Sequence, residues 1–136
     1  MTEPRYLLDT DTLVYIRRGR PDKARRRFNR LQPGESALSV ITYGELIYGI
    51  EKQGATAQAW AVLEELTQLI PVLQLSPEVA KVYGVIRALL AANGELIGAN
   101  DLWIAAHARS RNMILVTNNE REFRRVPGLK IENWIA

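Results

Sequence analysis

Acidic side chains lie where short apolar runs of this sequence give way to helical patterns. Asp9 ends the run at residues 6–8, Glu45 closely follows the run at residues 36–40, and Asp101 begins a later helical segment. In an open parallel α/β sheet, ligands bind beyond the carboxyl ends of the strands. Carboxylates gathered there would raise one another's pKa unless a cation neutralised them. Because oxygen ligands select hard ions, the pattern predicts an Mg²⁺ or Mn²⁺ site.

Each of these acids also has a purely structural interpretation, in which it only caps the helix that follows. The pattern Thr-x-x-Glu at residues 42–45 is a capping box, and Asp9 or Asp11 could cap the first helix. Asn100 and Asp101 could cap their own helix and complement its dipole. The sequence leaves both interpretations open.

Other polar residues lie near the same edge. Thr10 and Thr117 could orient the acids through hydrogen bonds, or could merely end their elements. Asn119 and Glu120 follow the run at residues 113–116. We expect His107 to be a packed or hydrogen-bonded helix residue, because it lies almost two turns beyond the acid of its helix.

Composition restricts the class of protein. With 136 residues and 47% hydrophobic content, the chain predicts one domain over residues 1–136. The absence of cysteine excludes disulfides and thiolate sites, and a single histidine disfavours most zinc and histidine-relay chemistry. No apolar stretch approaches a membrane span, and no secretory signal precedes residue 9, so we expect a cytoplasmic protein.

Basic residues are concentrated in two stretches. Residues 17–30 contain eight basic residues and one acid, and a second basic group lies near the C-terminus. Arginine outnumbers lysine by 14 to 4, and its planar fork matches phosphate oxygens. A polyanionic partner is therefore predicted, with a solvated helix face as the alternative. The candidate nucleic-acid-binding residues are Arg17, Arg18, Arg25, Arg26, Arg109 and Arg121.

Short apolar runs alternate with longer helical patterns, which is typical of an α/β fold with a mostly parallel sheet. We predict strands at residues 6–8, 36–40, 72–75, 113–116 and 129–132. We predict helical segments at residues 13–16, 21–31, 42–50, 60–70, 77–92, 100–109 and 120–123. Pairing of the third and fourth helices could form an apolar groove for dimerisation or for a partner helix.

Four ordered motifs resemble a known family. LLDTDTL at residues 7–13, SVITYGEL at 39–46, IGANDLWIAAHA at 97–108 and LVTNNEREF at 115–123 have the order and spacing of VapC-type PIN-domain ribonuclease toxins. The match continues to residue 134 and so covers nearly the whole chain.

The resemblance implies a three-layer α/β/α sandwich, Mg²⁺- or Mn²⁺-dependent endoribonuclease activity and inhibition by a VapB-type antitoxin. It also implies a homodimer and an RNA substrate, with tRNA as a candidate. Carried over by position, the metal-binding acids are Asp9, Glu45 and Asp101. Many relatives have a fourth acid where this chain has Asn119, so Glu120 is a candidate substitute.

Two other functions are compatible with parts of the sequence. LDTDTL at residues 8–13 is similar to the first motif of haloacid dehalogenase-type phosphatases, where Asp9 would attack phosphorus. That chemistry needs a phosphate-binding lysine and a later acidic pair, which the chain does not offer at suitable positions. The second alternative is a non-catalytic RNA- or antitoxin-binding module with a decayed site, which Asn119 would favour.

Overall fold

A computed structural model describes residues 4–19 and 22–136 of the chain. In this part, five strands form one sheet in the order β3-β2-β1-β4-β5, and every neighbouring pair is parallel. The strands are β1 (Tyr6–Leu8), β2 (Ser36–Ser39), β3 (Val72–Leu73), β4 (Ile114–Val116) and β5 (Lys130–Glu132). All five predicted strands are confirmed, and the sheet is wholly rather than mostly parallel.

Seven helices accompany the sheet in the described residues. They are α1 (Thr10–Arg18), α2 (Asp22–Asn29), α3 (Val40–Lys52), α4 (Ala57–Leu69), α5 (Pro77–Ala92), α6 (Ala99–Ser110) and α7 (Glu120–Phe123). Each corresponds to a predicted helical segment. The predicted start of the second helix, Pro21, lies outside the described residues.

The alternation of side chains along β1 divides the core in two. Leu7 packs into a cluster with α5 and α6, whereas Tyr6 and Leu8 pack into a second cluster with α1 and α2. A parallel sheet buried on both faces has continuously apolar strands, as β1 does. Helices on both faces of the sheet give the three-layer α/β/α sandwich that the sequence predicted.

The largest boundary differences have local causes. The second strand ends at Ser39, and α3 begins at Val40 rather than at residue 42, because the Ser39 hydroxyl accepts the N–H of Ile41 at 3.1 Å and caps the helix. Thr56 similarly caps α4, which begins three residues before the predicted position. The third strand has two residues instead of four.

Helix α1 is capped at both ends by candidate site residues, Asp9 at its N-terminus and Arg25 at its C-terminus. Asp9 caps its first turn, and Gly19 ends it in the left-handed region with φ +70°. The guanidinium of Arg25 donates to the carbonyl of Ile16 at 3.1 Å and to that of Arg17. The positive φ requires glycine here, and a Cβ on Gly19 would also lie 3.0 Å from this guanidinium, which would have to shift.

Within the described residues, no helix has the length and hydrophobicity needed to cross a bilayer.

Candidate metal site at the carboxyl edge of the sheet

Asp9 directly follows β1 and is 8% exposed. Its Oδ1 accepts the N–H of Thr12 at 2.8 Å, so Asp9 does cap α1, while the Thr12 hydroxyl donates to the Val116 carbonyl at 3.2 Å. Burial raises the pKa of Asp9, and hydrogen bonds from Thr117 and Thr12 oppose that rise. A carboxylate has about four acceptor positions, so capping leaves capacity for a ligand.

Glu45 is held by side chains from two other helices. Its Oε1 accepts the hydroxyl of Thr10 at 2.9 Å, and its Oε2 accepts the amide of Asn100 at 3.4 Å. The capping-box interpretation is wrong, because α3 begins at Val40 and Thr42 therefore lies inside the helix. Glu45 is thus free of a capping role and is oriented towards α1 and α6.

Asp101 lies in the first turn of α6, whose N-cap is Gly98 without any side-chain capping bond. The capping interpretation of Asp101 is therefore wrong, although its position still complements the helix dipole. Burial raises the pKa of Asp101 to about 7, and the neighbouring carboxylates of Glu122, Glu45 and Asp9 add to that rise. Four carboxylates consequently interact at this edge.

Glu122 was missed by the sequence analysis. Its Oε1 accepts the N–H of Gly98 at 3.1 Å, its Oε2 accepts the amide of Asn119, and its carboxyl group is hydrogen-bonded to Asp101. Glu120, the candidate substitute, turns away and contacts Arg124 at 2.9 Å and Asn133 at 3.0 Å. Glu122, and not Glu120, is therefore the fourth acid at the carboxyl edge of the sheet.

The four carboxylates lack cationic partners. In residues 4–19 and 22–136, none of Asp9, Glu45, Asp101 and Glu122 pairs with lysine or arginine, whereas five other acids do: Asp22, Glu35, Glu78, Glu120 and Glu132. Uncompensated carboxylates with neutral hydroxyl and amide neighbours are a donor set that suits a hard cation.

The carboxylates are not arranged as a closed coordination shell. Across the described part of the chain, no three histidine, aspartate or glutamate side chains lie close enough to hold one ion. Cation binding therefore requires rotation of at least one of them. Glu45 and Glu122 are both only partly buried and held by neutral donors, whereas Asp9 is buried.

The remaining candidate residues support the acids. Thr10 orients Glu45 and Thr117 bonds to Asp9, which favours the orienting interpretation of both threonines. Asn119 donates to Glu122 instead of replacing an acid, and the exposed Asp11 raises the pKa of Asp9 through its charge. His107 is fully buried and bonded to Ser39, as expected of a packed helix residue.

The candidate arginines do not form one surface. Arg17 and Arg25 line an apolar groove, and Arg25 is engaged in capping α1, which removes it from the RNA-binding candidates. Arg26 lines a separate basic cleft of about 370 Å³. Arg109 packs against Gly128, whereas the other candidates, Arg18 and Arg121, are exposed.

Comparison with known proteins gives consistent matches. The PIN domain family model matches residues 6–129. Ribonuclease VapC2 of Haemophilus influenzae is 44% identical over 131 residues, which cover 96% of this chain and 98% of the relative. The tRNA(fMet)-specific endonuclease VapC of Salmonella typhimurium is 42% identical over 130 residues, with the same coverage of both chains.

The fold matches as well. A chain of the DNA-bound VapBC structure from Salmonella typhimurium superimposes with a TM-score of 0.88 at 42% identity, covering 96% of this chain and 98% of that chain. These matches disfavour the phosphatase interpretation of residues 8–13.

Asp101→Asn should stabilise the fold in the absence of divalent cations, because it removes one of the mutually repelling charges. The folded-state pKa of about 7 lies above the ordinary aspartate pKa of 3.8, so the wild type loses stability as pH rises between them. We expect the advantage of the variant to grow from pH 4 to pH 7 and then stay constant, reaching about 1–2 kcal/mol after solvent screening.

Urea unfolding in EDTA at several pH values measures this difference. Glu120→Gln is the matched control and should be destabilising, because its carboxylate is paired with Arg124. A destabilised Asp101→Asn at pH 8 would contradict the repulsion argument.

Proposed function

The chain belongs to the VapC branch of the PIN-domain family, and we propose that it is a divalent-cation-dependent endoribonuclease toxin acting through Asp9, Glu45, Asp101 and Glu122. The observation that carries this proposal is the set of four carboxylates, gathered from four elements and, within residues 4–19 and 22–136, without an ion pair to lysine or arginine. A decayed site would not need to keep this repulsion.

The four acids would hold Mg²⁺ or Mn²⁺. When bound, the cation supplies Lewis acidity at a phosphodiester and lowers the pKa of water. Thr12 and Thr117 fix the Asp9 carboxylate, while Thr10 and Asn100 orient Glu45. Substrate anions are repelled by the acids until the cation is present, so cation and RNA binding should be coupled.

The RNA would be held outside the acid edge by the basic cleft. Lys23, Arg26, Arg27 and Arg30 line it together with residues 132–134 and 136. The side chain of Asn133 bonds to Asn118 at 3.2 Å, in the segment that follows β4, so the cleft adjoins the acid edge. We assign phosphate contacts to this cleft, with structured RNA, and tRNA in particular, as the substrate class.

A VapB-type antitoxin segment would occupy the apolar groove. The groove has a volume of about 710 Å³ and is lined by α1, α2, α3 and α4, which agrees with the predicted pairing of the third and fourth helices. Leu69, at the end of α4, lines it with 51% of its surface exposed. An amphipathic helix with apolar residues at helical spacing suits such a groove.

We further propose a cytoplasmic protein with a single domain over residues 1–136 that forms a homodimer. The outer side of α5 supports the dimer, because Val85 is 60% exposed and Leu89 is 41% exposed on the same helix face.

RNA cleavage tests the proposed function directly. Antitoxin-free protein should cleave RNA with Mg²⁺ and lose cleavage in EDTA. Asp9→Asn and Glu45→Gln should each lower the rate about a hundredfold, because a catalytic cation supplies several kcal/mol. Glu78→Gln, at an exposed and ion-paired acid of α5, is the control and should retain full activity. Wild-type protein that cleaves no RNA would instead favour the non-catalytic binding module.

Arg26→Glu should weaken RNA binding and reduce its salt dependence, because a phosphate contact is lost. We expect the slope of log K against log salt to decrease by about one per contact. Lys81→Glu is the matched control, because Lys81 and Arg26 are both exposed and each pairs with an acid on its own helix. Filter binding at several salt concentrations measures both, and equal slopes would assign Arg26 to a solvated face.

Leu69→Glu should weaken binding of the cognate antitoxin at least about tenfold without changing RNA cleavage, since it places a charge in the apolar groove. Leu96→Glu, at a residue with 48% exposure outside the groove, is the control. Calorimetric titration with the antitoxin measures the difference. An unaffected Leu69→Glu complex would exclude this end of the groove as the antitoxin site.

A further inference from the structure

The one histidine of the chain joins two helices that each present an acid. His107 lies in the last turn of α6 and is fully buried, and its Nδ1 lies 2.9 Å from the hydroxyl oxygen of Ser39. Ser39 is also fully buried, ends β2 and caps α3. No other residue in the described part supplies a polar contact to this imidazole.

The hydrogen bond joins two neutral groups. Burial, together with the Arg111 guanidinium, lowers the pKa of His107 to about 4, so the imidazole stays neutral near pH 7. The Ser39 oxygen accepts the N–H of Ile41 and keeps both a second lone pair and its own proton, so it can bond to Nδ1 of either neutral tautomer. The Nε2 atom of His107 is buried without a partner in the described residues.

The bond is placed symmetrically between the two acids. Glu45 lies six residues after Ser39 on α3, and Asp101 lies six residues before His107 on α6. Each acid is therefore about 9 Å from the bond along its own helix. Because α3 begins at Val40, directly after Ser39 and with no intervening loop, an anchor at Ser39 sets the direction of the whole helix.

We infer that His107 is a positioning residue, whose hydrogen bond to Ser39 fixes the angle between α3 and α6 and thereby the separation of the Glu45 and Asp101 carboxylates. This inference rests on the proposed function, since the readout is cation affinity. Groups that hydrogen-bond directly to metal ligands change metal affinity by about 10- to 100-fold when removed, and His107, which acts through the two helices, is expected at the lower end of that range.

The test compares Mn²⁺ affinity, measured by calorimetry on antitoxin-free protein, between four variants and the wild type. His107→Leu and Ser39→Ala each remove one partner and should weaken binding at least about tenfold. His107→Asn keeps an amide that can donate or accept near the position of Nδ1 and should remain within about threefold of the wild type. Ser76→Ala is the control, because Ser76 caps α5 through the N–H of Val79 and its loss should leave affinity unchanged.

The outcomes separate this inference from the proposed function. If the wild type binds no Mn²⁺ and cleaves no RNA, the metal site itself is wrong, and the inference fails with it. If the wild type binds Mn²⁺ but His107→Leu and Ser39→Ala bind equally well, only the positioning role is refuted. Weak binding by His107→Asn would also refute it. Should His107→Leu fail to fold, as judged by circular dichroism, Ser39→Ala decides.

Discussion

The burial and mutual repulsion of carboxylates without cationic partners are the constraint on which the rest of this structure depends. Five acids elsewhere in the described residues have a lysine or arginine partner, whereas the four at the carboxyl edge have none among the same residues. Burial is the larger cost at Asp9 and Asp101, because it disfavours their charged forms, and the neighbouring carboxylates add to it. The fold must hold these carboxylates together although their charges repel. The groups that hydrogen-bond to them are therefore as informative about the site as the acids themselves.

Those supports are neutral hydrogen-bond donors from neighbouring elements. Thr12 fixes Asp9, Thr10 fixes Glu45, and the amide of Asn119 fixes Glu122. A lysine or arginine at any of these positions would stabilise the metal-free protein but would compete with a cation for the same oxygens. Neutral donors orient the carboxylates and leave their negative charge available to a cation. A binding site of this kind lowers the stability of the metal-free fold in exchange for cation affinity.

The positions of the strands along the chain and three of the four acids could be anticipated, because period, turn residues and the carboxyl-edge rule are local signals. The three layers were expected only from the family resemblance, and the order of the strands in the sheet was not predicted. The start of α3 could not be anticipated, because the β-branched residues Val40 and Ile41 favour a strand, and the capping role of Ser39 is evident only in the structure. Glu122 could have been found by placing the residues of α7 around a helix, which shows the side chains that share a face. On α7, Glu120 and Glu122 are about 200° apart, so the pairing of Glu120 with Arg124 on the outside directs Glu122 inwards. The contact between α6 and α7 that completes the site is tertiary, and no spacing within one segment encodes it.

The double capping of α1 joins two parts of the surface. This nine-residue helix, about 14 Å long, has the carboxylate of Asp9 at one end and the guanidinium of Arg25 at the other. Arg25 also lines the apolar groove, so an occupant of the groove would contact the C-terminal cap of the helix whose N-cap is the buried Asp9. The groove and the acid edge therefore share one short helix.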